Sequence, residues 1–337
     1  MQTYRLLSGA GTGGLQQVEV VSKPLDAREV RIEMQASALN FRDLDVAKGQ
    51  YGSARGTEMV PLSDGVGTIV ETGALAKRFA RGDRVIPTFW PNWIDGESSP
   101  DGASRSFGVE IDGTLTQVMV APEEALVRAP TTVSGSAAAS IACAGVTAWN
   151  ALFVRGQLKP GSSVLILGTG SVAIWALQLA TAAGMKAIVT SSSDDKLQRA
   201  EQLGARGLVN YRKNPEWQTE VLTQTQGKGV DLVLEVGGQD TLLRSVAAAR
   251  FGGRVVVIGG LSGWGGADLS PNLLIGGNKT VEGIMVGSRR MTEDLVRFID
   301  TAKIVPVIDS EFAFAEAHDA YERLESGQAF GKVIIRA

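Results

Sequence analysis

The chain has 337 residues, of which 44% are hydrophobic and 20% are charged, a composition typical of a folded globular protein rather than a disordered or fibrous one. This length exceeds the size at which a single hydrophobic core usually stops growing, so it predicts two domains. The formal net charge is -3 and no run of lysines or arginines occurs, which argues against nucleic acid or an anionic membrane as a partner.

Cysteine use and the start of the chain predict a cytoplasmic protein. The single cysteine, Cys143, excludes an internal disulfide. The first residues, MQTYRLLSGAGTGG, contain no apolar segment of the kind that a secretion signal carries. Two uncharged stretches, residues 131–154 and 161–185, are long enough to span a membrane, but small and polar residues interrupt both. We therefore expect neither secretion nor a membrane span.

The first part of the chain predicts a β-rich domain. Up to about residue 130, short alternating runs such as EVRIEM and GTIVETG are separated by turn dipeptides. Residues 89–113 break this pattern, because proline, glycine and serine are frequent there and no hydrophobic period is visible. This segment is predicted to be a long surface loop, and its aromatic residues Trp90, Trp93 and Phe107 are candidates for lining a substrate pocket.

After residue 130 the pattern changes to alternating strands and helices. Apolar runs typical of buried strands are SVLILG, AIVTS, GLVNY, VDLVLEV and RVVVIGG, and helical patterns lie between successive runs. Such alternation predicts a parallel sheet with helices on both faces. The predicted domains are residues 1–130, residues 131–287 and a C-terminal segment, residues 288–337, which packs back on the β-rich part.

The stretch VLILGTGSVAIWALQLA, residues 164–180, predicts a strand, a glycine turn and a helix. Gly168 permits the tight turn, Gly170 allows a pyrophosphate to approach the backbone, and Ala173 lets helix and strand pack closely. The helix N-terminus presents unpaired N–H groups and a partial positive charge to the phosphates. A glycine turn in an unrelated α/β domain is the alternative, and the residues downstream decide against it.

The end of the second predicted strand favours NADPH over NADH. NAD sites usually carry an acidic residue there, which binds the ribose 2′-hydroxyl. This chain instead has TSSSDDK, in which Ser191, Ser192 and Lys196 are predicted to bind a 2′-phosphate through hydroxyl donors and a cation. The alternative is that Ser193 merely caps the helix that begins at Asp194, and both roles are compatible.

Further motifs extend over nearly the whole chain, and their order is more specific than any one of them. They are ASALNFRDLDVAKGQY, LSDGVGTIVETG, GDRVIPT, ACAGVTAWNAL, VLILGTGSVAIWALQLA, TSSSDDKLQRAEQLGA, VLEVGG, RVVVIGGLSG and ESGQAFGKVII. In this order they resemble the medium-chain dehydrogenase/reductases, in the zinc-free branch close to NADPH quinone oxidoreductases.

The resemblance implies an α/β fold, with a Rossmann doubly wound parallel sheet domain plus a β-rich GroES-like catalytic domain. It also implies a cleft that holds NADPH and a homodimer formed through the strand at residues 280–287.

The same resemblance implies which residues bind the cofactor. It gives Thr147 a nicotinamide contact and Tyr211 a place near the adenosine ribose phosphate. The full set of candidates is Thr147, Gly168, Thr169, Gly170, Ser171, Val172, Ser191, Ser192, Lys196, Tyr211, Val236, Gly237, Ile258, Gly259, Gly331 and Lys332. For Lys332 the alternative is a purely structural role in the final strand.

Departures from the zinc-dependent relatives predict the chemistry. The positions that hold their catalytic metal match Asn40, Ser63 and Cys143, and residues 89–113 lack the cysteines of their structural zinc lobe. Zinc takes thiolate, imidazole or carboxylate ligands, so we expect no metal. Without a Lewis acid, reduction of an unactivated ketone loses several kcal/mol of charge stabilisation. The predicted reaction is therefore hydride transfer from NADPH to a quinone or an α,β-unsaturated carbonyl.

Asn40 and Tyr51 are the candidate catalytic residues. The Asn40 amide is predicted to donate to a substrate oxygen, and a bond to nearby backbone is its alternative. Tyr51 matches a tyrosine thought to supply a proton in zinc-free enoyl reductases of the family, with packing as its alternative. Asp43 and His318 are given structural roles. Two other functions stay open: a non-catalytic NADPH-binding protein, sensor or crystallin-like, and an alcohol dehydrogenase-like enzyme.

Overall fold

The computed structural model describes residues 1–52, 55–266 and 268–337. These residues form two compact units: unit 1 comprises Met1–Val146 and Gly287–Ala337, and unit 2 comprises Thr147–Val286. The predicted boundary at residue 130 lies earlier than this division, because the 3₁₀ segment Gly135–Ser140 packs against strands of unit 1.

Helices and strands are numbered along the whole chain. The strands are β1 (Gln2–Leu7), β2 (Leu15–Glu19), β3 (Glu29–Ala38), β4 (Glu58–Met59), β5 (Asp64–Thr72), β6 (Arg84–Pro87), β7 (Val118–Pro122), β8 (Leu126–Arg128), β9 (Ser163–Leu167), β10 (Lys186–Ser191), β11 (Gly207–Asn210), β12 (Val230–Glu235), β13 (Ala249–Val257), β14 (Thr280–Gly283), β15 (Ile308–Ala313) and β16 (Lys332–Arg336). The α-helices are α1 (Phe41–Ala47), α2 (Val146–Trp149), α3 (Ser171–Ala182), α4 (Asp194–Gln202), α5 (Trp217–Gln224), α6 (Leu242–Ala248), α7 (Pro271–Gly277), α8 (Arg289–Ala302) and α9 (Ala317–Glu325). Segments of π-helix at Ile141–Gly145 and Asn150–Arg155 flank α2.

Unit 1 contains two sheets. One has the strand order β2-β1-β4, and the larger has the order β15-β16-β3-β5-β6-β8, with β7 also paired to β3. In the larger sheet Ala38, the last residue of β3, lies opposite Asp64 of β5 and opposite Ile334 of β16. This register places the end of β3 beside the starts of both neighbouring strands, and the candidate site of unit 1 lies there.

Alternation of polarity predicted most strands of unit 1 but not β1, β4, β8 or β15. Strand β15 has the sequence IDSEFA, and none of its residues is fully buried, so it shows no buried face that alternates with an exposed one. Strand β1 buries the neighbouring residues Thr3 and Tyr4, which also breaks strict alternation. In both strands the pairing partner, rather than the local pattern, determines the extended structure.

Residues 89–113 form no regular strand or helix, as predicted, but the segment is not simply a surface loop. Trp90, Trp93 and Phe107 are all buried. The Trp93 carbonyl oxygen accepts a hydrogen bond of 2.9 Å from the backbone N–H of Arg289, at the start of α8. The large apolar area of the aromatic side chains therefore packs the segment against the rest of unit 1. The glycine and proline content of the segment does not reveal this packing.

Unit 2 is a six-stranded sheet in the order β11-β10-β9-β12-β13-β14. Every neighbouring pair is parallel, and counted along the chain the order is that of doubly wound nucleotide-binding domains. Strand residues such as Leu165, Val233 and Val255 are fully buried in its core. The predicted α/β fold with a β-rich partner domain is confirmed, and the carboxyl ends of β9, β10, β12 and β13 form one edge of the sheet.

A helical stretch, Gly135–Arg155, is the one segment of the described chain that is long and apolar enough to cross a membrane. Within its most apolar window, 72% of the residues are buried inside the structure. Burial of that extent is typical of a core helix in a globular protein.

Candidate functional site

The glycine turn of unit 2 has the predicted strand, turn and helix structure. Strand β9 ends at Leu167 and α3 begins at Ser171, with Gly170 as its N-cap residue. Gly168 has a φ of 80°, which favours glycine, and its backbone N–H donates a hydrogen bond of 3.2 Å to Thr190 Oγ1. A Cβ added to Gly170 would meet no atom within 4 Å, so open space lies before the helix N-terminus. This geometry fits a pyrophosphate, because the N-terminus of a helix carries a partial positive charge and directs backbone N–H groups towards such a space.

The three serines at the end of β10 differ in burial and in structural role. Ser193 is the N-cap residue of α4, and its Oγ accepts a hydrogen bond of 3.4 Å from the backbone N–H of Lys196. This bond confirms the capping interpretation of Ser193. Ser191 is buried at the end of β10, whereas Ser192 is half-buried. Their proposed contacts with a 2′-phosphate stay a prediction.

The acidic residue nearest to these serines has its own partners. Asp194 accepts a hydrogen bond of 2.7 Å from Asn210 Nδ2 and one of 2.5 Å from Lys213 Nζ. These bonds hold the pKa of Asp194 below its usual value. Tyr211 follows Asn210 with its side chain 40% exposed, and its backbone N–H donates to the carbonyl oxygen of Ser191. The Asp194 carboxylate is therefore turned towards the next strand.

Glu235, the last residue of β12, is a structural element of this edge that the sequence analysis missed. Its side chain is fully buried, and Oε1 accepts hydrogen bonds of 2.6 Å from Gly237 N, 3.0 Å from Gly238 N and 2.6 Å from Thr241 Oγ1. Oε2 accepts from Ser245 Oγ. A glutamate that directly follows the apolar run Leu232–Leu234 was the available signal, because a buried carboxylate needs several donors.

The loops that follow β12 and β13 are tied together by backbone hydrogen bonds. Leu261 N donates to the Val236 carbonyl at 3.1 Å, and Ser262 N donates to the Gly237 carbonyl at 2.6 Å. Gly259 lies close to the same turn, since an added Cβ would be 3.3 Å from Val236 O. The structure thus brings the predicted candidates Val236, Gly237 and Gly259 together at the carboxyl edge, where ligands bind in such sheets.

Unit 1 holds a buried polar cluster made of Asn40, Asp64 and Lys332. Lys332 Nζ donates hydrogen bonds of 2.8 Å to Asn40 Oδ1 and 2.9 Å to Asp64 Oδ2. Lys332 and Asp64 are 0% exposed and Asn40 is 5% exposed. The register of β3 with its two neighbours explains the meeting of residues so distant in sequence. The sequence analysis gave Lys332 a cofactor contact, and the structure places its ammonium against Asn40 and Asp64.

Several polar atoms of this cluster have no hydrogen-bond partner. Within the described part of the chain these buried atoms are Asn40 Nδ2 and Asp64 Oδ1, and the neighbouring residue Ser63 has a further unpartnered atom, Oγ. Buried polar atoms are nearly always paired in proteins, with protein groups, ordered water or a ligand. Asn40 and Asp64 are joined through Lys332, so their two orphaned atoms mark a place where a polar ligand atom fits.

A cationic and aromatic group adjoins the cluster. The Arg42 guanidinium carbon lies 5.1 Å from the ring centroid of Tyr51 and 4.4 Å from that of Phe89. Arg42 donates to Ser106 Oγ at 3.1 Å and to the Phe107 carbonyl at 2.6 Å. Burial raises the pKa of Tyr51, so its hydroxyl keeps its proton at neutral pH. Tyr51 thus packs on Arg42 with a hydroxyl that can still donate.

Asp43 has the structural role predicted for it. Its Oδ2 accepts a hydrogen bond of 2.7 Å from the backbone N–H of Asn40, before α1, and its Oδ1 lies 3.5 Å from Arg42 Nε. Burial raises the pKa of Asp43 to about 6, although Arg42 and the Asn40 N–H oppose the rise. Asp43 therefore holds the backbone of Asn40, the residue whose side chain carries the amide, in place. His318 is exposed on α9, as expected for a structural role.

The residues that match zinc ligands of related enzymes do not fit zinc. Asn40 Oδ1 is bonded to an ammonium group, and Ser63 offers a hydroxyl. Burial, and next the charge of Asp64, raises the pKa of Cys143, which keeps its thiol protonated. Zinc takes thiolate, imidazole or carboxylate ligands, and Cys143 is the only one of these three side chains that can supply one, by losing its proton to the metal. Over the described residues, no cluster of three or more histidine, cysteine, aspartate or glutamate side chains is arranged for a metal.

The remaining candidates are divided between the two units. Thr147 is buried in α2 and Ile258 directly follows β13, both in unit 2. Thr169, Ser171 and Val172 belong to the glycine turn and the first turn of α3. Gly331 precedes β16 in unit 1. Their contacts with a cofactor stay predictions.

Comparisons with known proteins bear on both units. Residues 26–131 match the alcohol dehydrogenase GroES-like domain, and residues 171–301 match the zinc-binding dehydrogenase domain. A zinc-type alcohol dehydrogenase-like protein of Schizosaccharomyces pombe is 40% identical over 329 residues, which cover 95% of this chain and 94% of that protein. The chain belongs to the medium-chain dehydrogenase/reductase superfamily. It is an oxidoreductase of that type, built from a GroES-like domain and a Rossmann-like domain, and members of the superfamily bind a nicotinamide cofactor.

Solved structures agree with this assignment. A putative alcohol dehydrogenase from Sinorhizobium meliloti has a TM-score of 0.91 and 35% sequence identity, with 100% of both chains covered. A quinone oxidoreductase from Pseudomonas syringae has a TM-score of 0.83 and 26% identity, with 100% of this chain and 99% of that one covered. Relatives of this dehydrogenase/reductase thus bear the names of both alcohol dehydrogenases and quinone oxidoreductases. The two activities have to be distinguished by the chemistry of the site residues.

Proposed function

We propose that this protein is an NADPH-dependent, zinc-independent oxidoreductase that transfers hydride to quinones or α,β-unsaturated carbonyls. The observation that carries the proposal is the buried cluster of unit 1, in which Lys332 bonds to Asp64 and to Asn40, a residue that the resemblance matches to a metal ligand of zinc-dependent enzymes. An amide donor and a fixed ammonium replace the Lewis acid. The structural similarity to a quinone oxidoreductase supports the same reading.

The choice of substrate follows from the strength of these groups. A hydrogen-bond donor stabilises a developing oxyanion less than a metal ion does, so the substrate has to spread its own negative charge. Conjugation in a quinone or an enone does this, whereas a simple ketone or alcohol does not. Asn40 Nδ2, which has no bond to any described residue, is the donor assigned to the substrate oxygen. When bound, the reduced nicotinamide supplies the hydride.

Proton supply is assigned to Tyr51. Its pKa is raised, so the hydroxyl is protonated, and the guanidinium of Arg42 at 5.1 Å from its ring holds it in place. A phenol in this state can donate a proton to a carbanion or an oxyanion formed after hydride transfer.

Preference for NADPH is supported by the end of β10. No carboxylate occupies the position that binds a ribose 2′-hydroxyl in NAD sites, and Asp194 is bonded to Asn210 and Lys213. Ser191, Ser192 and Lys196 are assigned to the 2′-phosphate, while the N-terminus of α3 is assigned to the pyrophosphate. The serine hydroxyls donate to the phosphate, and the lysine supplies the opposite charge.

A homodimer in the cytoplasm is the proposed biological form. Strand β14 is the outer strand of its sheet and pairs only with β13 among the described strands, so its free edge offers backbone groups to a second copy. The observed strand covers Thr280–Gly283, shorter than the predicted 280–287. Molar mass from light scattering coupled to size exclusion tests this part, and a monomer at working concentration refutes it.

A turnover screen tests the function. Purified protein is mixed in a stopped-flow instrument with NADPH and a panel of quinones, enones, simple ketones and alcohols, then with NADH in place of NADPH. We expect substrate-dependent loss of reduced cofactor with quinones or enones, at least about tenfold better with NADPH, which corresponds to 1.4 kcal/mol. Inertness across both classes refutes the proposal, and NADPH binding without turnover supports the non-catalytic alternative.

The alcohol dehydrogenase alternative has its own readout. The names of several relatives favour it, and it requires bound zinc. Elemental analysis of the purified protein should show less than one zinc per ten chains, and chelation should leave quinone reduction unchanged. Stoichiometric zinc together with chelator-sensitive alcohol oxidation would replace our proposal with that alternative.

A further inference from the structure

The orientation of the Asn40 amide is fixed by chemistry rather than by shape. The two ends of a carboxamide have nearly the same size, but one accepts hydrogen bonds and the other donates them. Lys332 Nζ, 2.8 Å from the amide, can only donate, so the amide atom that faces it must be Oδ1. The amide nitrogen is thereby turned away from Lys332, and Nδ2 is the end left without a partner among the residues the structure describes.

Asp64 has a matching role towards Lys332. Its Oδ2 accepts from Nζ at 2.9 Å, and both side chains are 0% exposed. A buried ammonium without a counter-charge would be strongly unfavourable, so the carboxylate balances its charge and holds it in position. Strand pairing adds rigidity, because the backbone N–H of Leu39 donates to the Val333 carbonyl at 3.0 Å, one residue away from both Asn40 and Lys332.

We propose that Lys332, held by Asp64, is a positioning residue that orients the Asn40 amide so that its Nδ2 donors, and not its oxygen, face the substrate oxygen. This inference rests on the proposed function. It assigns Lys332 no contact with the substrate, and it differs from the cofactor contact that the sequence suggested. A flipped amide would present a carbonyl oxygen to a substrate oxygen, which repels the developing negative charge instead of stabilising it.

A purely structural role for the Lys332–Asp64 pair predicts something different. The pair would then stabilise the sheet, and its loss would change activity independently of residue 40. Action through Asn40 requires that the pair has no effect once the Asn40 donor has been removed. Such coupling is what a double-mutant cycle measures.

The cycle uses Asn40→Leu, the paired change Lys332→Met with Asp64→Leu, and all three changes together. Replacing both charges by apolar side chains of similar size avoids leaving one buried charge alone. We expect each of the two variants to lower kcat for quinone reduction by about 100-fold, the range for loss of one oxyanion donor, with the NADPH dissociation constant unchanged. The combined variant should lie within about threefold of either one. If the apolar pair does not fold, Lys332→Gln with Asp64→Asn takes its place, because a glutamine no longer forces the amide orientation.

A second readout does not depend on turnover. The dye 4-nitrophenolate carries an oxyanion on a conjugated ring, and its absorption reports both binding and protonation. Titrated into wild-type protein, it should bind with a lowered apparent pKa. Asn40→Leu and the paired change should each weaken binding about tenfold, and the combined variant should weaken it no further.

The exposed pair Lys48 and Glu325 provides the matched control. Its atoms lie 2.7 Å apart and its side chains are 44% and 45% exposed. Changing both residues to glutamine should leave kcat and dye binding unchanged. Additive losses in the cycle, with wild-type turnover intact, overturn the role of Lys332 and leave the proposed function standing. An inert wild type with coupled dye binding overturns the proposed function alone, and an inert wild type that does not bind the dye overturns both.

Discussion

Removing the Glu235 carboxylate should destabilise unit 2 and weaken dinucleotide binding together. This side chain is fully buried and accepts hydrogen bonds from Gly237 N, Gly238 N, Thr241 Oγ1 and Ser245 Oγ. In Glu235→Ala those donors lose a fully buried acceptor, while Gly237, Gly238 and Thr241 are themselves partly exposed. A buried unsatisfied donor costs about 1–3 kcal/mol, but water entering the new cavity recovers part of the sum. We expect a net loss of about 3–5 kcal/mol in the free energy of unfolding.

Glu235→Gln separates charge from hydrogen bonding. The amide oxygen can still accept from Gly237 N, Gly238 N and Thr241 Oγ1, while the amide nitrogen faces Ser245 Oγ, which can accept. Only the charge-assisted part of the bonds is lost, so we expect a decrease of about 1–2 kcal/mol. The turn that these bonds shape contains two predicted cofactor contacts. The NADPH dissociation constant should therefore rise at least tenfold in the alanine variant and less than threefold in the glutamine variant.

Urea denaturation followed by tryptophan fluorescence measures the stability, and titration calorimetry measures NADPH binding. Glu201→Ala, on the exposed surface of α4, is the control and should change neither quantity measurably. Equal effects of alanine and glutamine at position 235 would show that the carboxylate is not an acceptor of several bonds. A stable alanine variant, within about 1 kcal/mol of wild type, would refute the assigned role of the buried network.

Three further predictions concern the dinucleotide site and the cluster of unit 1. Gly170→Val should leave stability nearly unchanged, because its φ is −79° and an added Cβ meets no atom within 4 Å, yet it should weaken NADPH binding at least about 100-fold by filling the space for the pyrophosphate. Ser192→Asp should lower kcat/KM for NADPH at least about tenfold with little change for NADH, since a carboxylate repels a 2′-phosphate. The control variant Ser193→Ala removes the N-cap of α4, so it should cost about 1 kcal/mol of stability and affect both cofactors equally. Asp43 has a pKa raised to about 6 in the folded protein, against about 3.8 in the unfolded chain. Its contribution to stability is therefore present below pH 3.8 and is lost as the pH rises through 6. The stability of Asp43→Asn relative to wild type should rise by up to about 3 kcal/mol from pH 4 to pH 7.

Each of these has a clear contrary result. Tight NADPH binding by the Gly170 variant, measured by calorimetry, would move the phosphate site elsewhere. Equal losses for NADPH and NADH in the Ser192 variant would mean that this residue does not face the 2′-phosphate. A stability difference for the Asp43 variant that is flat with pH in urea titrations would show that folding does not raise the pKa of this carboxyl.

Local pattern was sufficient to predict the Rossmann-like unit. Strands β9, β10 and β12 are buried at nearly every residue, so each appears as a short, mostly apolar run, and Ser193 caps α4. Strand β14 has no fully buried residue and was expected only from the family resemblance. The glycine turn before α3 was predicted because a tight turn at Gly168 and open space at Gly170 depend on neighbouring residues only. Strands β1 and β15 were missed for the opposite reason, since their burial depends on distant partners.

The cluster of unit 1 was decided by tertiary structure. Asn40 was proposed as a donor from its position in a motif, but nothing local indicates that Lys332, 292 residues further along the chain, approaches its oxygen. The antiparallel pairing of β16 and the start of β5 with the same end of β3 brings the ammonium, the carboxylate and the amide together. Sequence by itself determined which chemical groups the protein possesses. Strand register, fixed by hydrogen bonds over whole strands, determined which of them meet and which atom of the Asn40 amide is left to bind a substrate.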